Sequence, residues 1–222
     1  MTLQIHGVTA SRALRPLWAA AALGLPCEQV QVGFKDGGSR QPGFMQLNPN
    51  GHIPVLVDDT DQGRLVMWES MACTLYIAQQ HGKADGIDIS PAGPLELAAA
   101  LQWAFWTANE IESNALAVLM HVLGLPPEQR DADKVSQAQA KLHAPLTVLE
   151  NHLASQQANG QDFIAAARFT VADICVASVV EWVKPAKEWS AQFAHTMAWL
   201  NRCLHRPEFV ALRAAARQPS KG

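Results

Sequence analysis

Apolar and polar positions keep two different rhythms along this chain. Up to Gln80, short alternating runs take turns with short amphipathic stretches; from Leu95 onward only helical periodicity persists. Leu3-Gln4-Ile5-His6 alternates apolar with polar, which predicts a half-buried strand. Gly7 to Ser11 reads as a loop. Arg12 to Leu23 sets Leu14, Leu17, Trp18, Ala21 and Ala22 along one face and predicts a helix. Pro16 falls in its first turns, where a missing N–H does least harm. Gly24 and Pro26 close the helix, and Glu28 to Val32 alternates as a second strand. Strand, crossover helix and strand make a parallel βαβ unit. Phe34 to Gln46 is loose, with Gly37, Gly38 and Pro42, and ends in a short helix near Phe44.

A tight reversal follows at Asn48-Pro49-Asn50-Gly51, where Pro fixes φ and Gly supplies a left-handed position. Ile53-Pro54 leads into a strand, since Pro is tolerated where no ladder donor is needed. Asp61 to Arg64 turns the chain, and Leu65-Val66-Met67 gives another short strand. Trp68-Glu69-Ser70 then opens an apolar helix from Met71 to Gln80, whose first free N–H groups can hold a carboxylate. Tyr76 lies inside that helix and is expected to be buried. Gly82, Gly86, Pro91, Gly93 and Pro94 punctuate a linker.

Beyond it, Leu95 to Leu123 reads as one long helix stopped by Gly124-Leu125-Pro126-Pro127, and Asp131 to Gln157 as a second. Thr170 and Asp173 have the spacing of a capping box at the start of a third, which runs to Val183, with Phe169 and Ile174 placed as a hydrophobic staple. Gln192 to Leu204 and Pro207 to Ala216 are the last two. The division expected is 1–82, a linker over 83–93, and an all-α domain over 94–222.

The totals narrow the chemistry. A net charge of −3 over 222 residues, with Lys and Arg scattered singly, gives no basic stripe for nucleic acid or a membrane surface. The N-terminal stretch lacks the charged and apolar regions of a secretory signal, and no apolar run has the length of a membrane span. Cys27, Cys73, Cys175 and Cys203 stand far apart without a C-x-x-C, which argues against a dithiol redox site or a zinc ribbon. All four are expected to be buried, reduced thiols. The His residues are dispersed, and no metal is expected.

The order N-P-x-G-x-I-P-x-L followed by Glu69-Ser70 at a helix start resembles the glutathione-binding half of the cytosolic glutathione transferases. The Thr170-x-x-Asp173 element and the Arg206-Pro207-Glu208-Phe209 step resemble that family's helical half. The resemblance implies a thioredoxin-like βαβ-α-ββα domain followed by an all-helical one, a cytoplasmic homodimer, and glutathione as co-substrate with no metal. Its implied activity is conjugation of the glutathione thiolate to hydrophobic electrophiles, as in detoxification. A glutathione-dependent isomerase or peroxidase, or a non-catalytic binding protein of the same fold, are the alternatives.

His6-Gly7-Val8-Thr9-Ala10-Ser11, with Arg15 in the helix after it, resembles the loop of the serine-type phi, theta and zeta classes. The resemblance implies that Ser11 donates a hydrogen bond to the thiolate. By its position alone Ser11 reads as a helix N-cap, worth about 1 kcal/mol. Thr9 is the rival hydroxyl, and Arg12 adds positive potential. For glutathione, the resemblance assigns the γ-glutamyl group to Glu69 and Ser70 and the cysteinyl backbone to Ile53 before a cis Pro54. The glycyl carboxylate falls to Arg40, with His52 either a second contact or an exposed turn residue. An acceptor pocket between the domains is expected to use Thr9, Trp106, Asn109 and Ser113.

Overall fold

The computed structural model describes residues 2–34, 36–83 and 88–216. Its first compact unit joins 1–92 with 206–222, and its second is 93–205. In the first, β1 (Thr2–His6), β2 (Cys27–Val30), β3 (Val55–Thr60) and β4 (Gly63–Trp68) form one sheet in the order β2-β1-β3-β4. β1 and β2 are parallel, as a βαβ unit requires; β3 is antiparallel to both β1 and β4.

The helices of this unit are α1 (Leu14–Ala22), α2 (Pro42–Leu47), α3 (Ser70–His81) and, from the C-terminal end of the chain, a helix over Pro207–Ala215. Strand alternation sends neighbouring side chains to opposite faces. On one face Val55 and Val57 pack with Phe44 of α2, flanked by Val32, Leu47 and Ile53. α1 and α3 pack on each other, and Trp18 of α1 meets Phe209 with ring centroids 4.4 Å apart.

The second unit is helical: α4 (Pro94–Trp106), α5 (Glu112–Leu119), α6 (Ala132–Ala158), α7 (Val171–Val180), α8 (Lys187–Ser190) and α9 (Ala194–Leu204), which leaves the Pro207–Ala215 helix as α10. α6 buries Leu142, Leu146, Leu149 and Leu153, a spacing of fours and threes that makes one stripe. α7 is buried at every position and forms the centre. Its capping box is formed: Thr170 and Asp173 satisfy each other's backbone N–H groups, and Asp173 also accepts from the Ile164 N–H and Trp199 Nε1.

Several sequence expectations need correction. The helix expected from Arg12 begins at Leu14, because residues 11–15 first make tight turns, Leu14 N–H to Ser11 and Arg15 N–H to Arg12. The second strand starts one residue earlier than expected and stops at Val30. The long helix expected over 95–123 is continuous but irregular, with π-helical turns at Thr107–Ile111 and Met120–Gly124. α8 had no counterpart in the pattern.

Tyr76 is half-buried because its hydroxyl reaches Asp58 at the end of the core, at 2.8 Å. Burial, with Asp58 adding to it, pushes that phenol up to about 12. Cys27 is also half-buried, since it opens the edge strand β2; the other three cysteines are buried. Gly86 of the expected linker lies outside the described residues.

Candidate glutathione site

The sheet register decides which loops meet. His6 pairs with Val30 on one side and Val55 on the other, and Val55 pairs with Trp68. These four residues form one row across the sheet. The segments that leave it are therefore the loop after β1, the stretch after β2 that carries Arg40, the Asn48–Pro54 loop before β3, and Glu69-Ser70 after β4. Four stretches distant in sequence emerge at one end of the sheet.

Close contacts lock them together. Gly7, with φ of 146°, sits so near its neighbours that a Cβ there would fall 2.9 Å from Ala13 Cβ and 3.3 Å from Ile53 Cβ. Only glycine lets the β1–α1 loop approach the next loop this closely. Gln29 of β2 donates from Nε2 to the Gly7 carbonyl at 2.9 Å and reaches Thr9 Oγ1 at 3.2 Å. Thr9 is buried, so its hydroxyl fastens the loop. Ser11 stays half-exposed: its hydroxyl donates to the Val8 carbonyl at 2.6 Å and accepts from the Ala13 N–H at 3.1 Å. It stands two residues ahead of the N-cap of α1, which is Ala13. His6 packs against Phe44, and burial holds its imidazole below the ordinary range, so it is neutral at pH 7.

The Asn48 reversal forms as the sequence predicts. Gly51 has φ of 62°, and its N–H bonds the Asn48 carbonyl at 2.9 Å. Buried Asn48 accepts from the Asn50 N–H at 3.0 Å and donates to the His52 carbonyl at 2.7 Å. That organising role was not legible in the Pro and Gly signals alone. Ile53–Pro54 is cis, and Ile53 lies outside the β3 ladder, which begins at Val55. Arg40 is exposed, lies over Gly51 and donates to the Asn50 carbonyl at 3.1 Å; His52 is exposed beside it.

At the fourth segment Glu69 is exposed and holds φ of 72° and ψ of 106°, a conformation that L side chains rarely adopt. Ser70 is buried and begins α3, whose N-terminus has no side-chain cap. Its hydroxyl accepts from Arg15 Nη1 at 2.8 Å. Sequence reading placed Arg15 in α1 but gave no signal that it meets Ser70. Exposed carboxylate, helix N-terminus, exposed guanidinium and half-exposed serine thus share one end of the sheet, a set suited to a zwitterionic peptide with a thiol.

Of the residues expected at an acceptor pocket, Trp106, Asn109 and Ser113 belong to the helical unit. Trp106 is half-buried at the end of α4, with its ring against Trp103 at 5.0 Å. Asn109 is exposed in the first π turn and donates to the Phe105 carbonyl at 2.8 Å, and Ser113 is exposed on α5. The π turn adds a residue, so the spacing of three and four does not carry one face across it. Among the described residues no cluster of metal-binding side chains occurs.

Residues 2–79 match the family model "Glutathione S-transferase, N-terminal domain", and residues 113–207 match "Glutathione S-transferase, C-terminal domain". Glutathione S-transferase GstB of Escherichia coli K12 is 34% identical over 160 residues, 71% of each chain. A glutathione S-transferase of Silene vulgaris is 30% identical over 224 residues, covering 98% of this chain and 100% of its own. The solved structure of glutathione S-transferase III in its apo form superposes with a TM-score of 0.80 at 30% identity over 100% of both chains.

Proposed function

The chain belongs to the glutathione S-transferase family, and from that premise we propose that it joins the sulfur of glutathione to hydrophobic electrophiles, with Ser11 stabilising the thiolate. Its glutathione transferase activity follows from the family; the residue roles are our reading. The observation that carries them is the row His6–Val55–Trp68, which delivers the β1–α1 loop, the Ile53–Pro54 corner and Glu69-Ser70 to one place.

In this reading the γ-glutamyl carboxylate lies on the first turn of α3 and the Ser70 hydroxyl, and the ammonium pairs with Glu69. The cysteinyl backbone pairs with Ile53, and the glycyl carboxylate meets Arg40 and His52. Glutathione's thiol loses its proton to solvent, the Ser11 hydroxyl turns from Val8 to the sulfur anion, and the S–C bond forms as the electrophile's leaving group departs. Trp106, Asn109 and Ser113 are proposed to contact the electrophile.

The proposed form is a cytoplasmic homodimer active in detoxification. Val66 and Trp68 on β4, and Leu101 and Phe105 on α4, are exposed apolar side chains that a second copy would cover. No helix among the described residues is long and apolar enough to cross a membrane. Calorimetric titration with glutathione, followed by a panel of aryl and alkyl halides, tests the activity. Millimolar glutathione giving no binding heat, together with no conjugate in the panel, would sink the reading.

A further inference from the structure

Arg15 is 2% exposed, and its Nη1 lies 2.8 Å from Ser70 Oγ, across 55 residues of sequence. A guanidinium has donors only, so in this pair the serine oxygen must accept. That fixes one lone pair of Oγ and turns the hydroxyl's own proton away from α1. Among the described residues no protein acceptor takes that proton, and the Thr74 hydroxyl bonds the Ser70 carbonyl instead, at 2.7 Å. A serine free to rotate can either donate to an anion or accept from an ammonium. Arg15 takes one of the two Oγ lone pairs and leaves the proton to donate outward. Its guanidinium charge, 2.8 Å behind Oγ, disfavours an ammonium at the lone pair that remains.

We propose that Arg15 is a positioning residue which sets the polarity of Ser70, so that this corner takes the carboxylate of an α-amino acid group and leaves the ammonium to Glu69. The inference rests on the glutathione-binding reading above and deepens it. The α3 N–H groups add to the same preference, since a helix N-terminus favours negative charge. Arg15 touches no substrate in this scheme; it acts through Ser70.

Three ligands separate this role from a general structural one: glutathione; 4-aminobutanoyl-cysteinyl-glycine, which keeps the ammonium but lacks the γ-glutamyl α-carboxylate; and glutaryl-cysteinyl-glycine, which keeps that carboxylate but lacks the ammonium. Dissociation constants are measured by calorimetry for the wild-type protein and for Arg15→Met. The expected result is a loss of roughly ten- to hundredfold for glutathione and for the glutaryl peptide, the scale of one hydrogen bond to a charged group. The 4-aminobutanoyl peptide should bind the variant as it binds the wild type. An equal loss for all three peptides overturns the proposal, because Arg15 then only supports the fold.

If Arg15→Met does not fold, Ser70→Ala and Arg15→Lys carry the test. Ser70→Ala must show the same selective loss, and Arg15→Lys, which still donates, must retain the wild-type order. Either failing to do so overturns the proposal. Wild-type protein that binds none of the peptides would instead refute the glutathione-binding reading itself.

Discussion

Ser11→Ala tests the chemistry most directly, and the structure sets the size of the effect. A hydrogen bond to a charged group is worth about 1.5–3 kcal/mol and a neutral one about 0.5–1.5. Ser11 already makes a neutral bond, to the Val8 carbonyl at 2.6 Å. Donating to a thiolate means giving that bond up, so only the difference of about 1–1.5 kcal/mol acts on the thiol. One pK unit corresponds to about 1.4 kcal/mol, so the variant should raise the bound thiol's pKa by about one unit. The sign follows: a higher pKa leaves less thiolate at neutral pH. Turnover at pH 7 should therefore fall up to about tenfold and recover as pH rises through the variant's thiol pKa. The assay is thiolate absorbance against pH at saturating glutathione, with the rate profile beside it. Thr9→Val is the control and should leave the titration in place, because the Thr9 hydroxyl is engaged with Gln29. An unshifted titration in Ser11→Ala, or a loss of rate equal at every pH, would refute the thiolate role and leave Ser11 as a fastener of its loop.

Glu69→Gly should lose glutathione affinity yet unfold no more easily than Glu69→Ala. Glycine accepts the φ of 72° without strain, a relief of about 1–3 kcal/mol against a glycine entropy cost of about 0.5–1; wild-type affinity in Glu69→Gly would remove the carboxylate from the site. Native-state alkylation should be slow at every cysteine. Burial, with Glu28 adding to it, pushes the Cys27 thiol up to about 11, so roughly one molecule in a thousand is thiolate there at pH 8. Cys73, pushed by burial to about 12, should react more slowly still. Rapid labelling of either, read by mass spectrometry, would contradict the burial that raises them.

Much of the site was legible because its signals are local. The Asn48–Gly51 reversal, the proline before β3 and the acid before α3 each follow from turn and cap chemistry within a few residues. What was not legible depends on partners far along the chain. Periodicity gave α1 one apolar face, ending in Ala21 and Ala22, yet Leu14 to Ala20 are all buried and those two alanines are only half-buried. The reason is α10, which returns from the far end of the chain and sets Phe209 against Trp18, so that α1 is covered by α3 and α10 together. A helix enclosed on more than one side cannot leave an arginine in water. Arg15 must be satisfied by hydrogen bonds inside the protein, since an uncompensated buried charge costs several kcal/mol. Ser70, at the N-terminus of the helix packed against it, supplies one acceptor. The same enclosure that hid Arg15 from a one-helix reading thus ties the core of the first unit to the polarity of its binding corner.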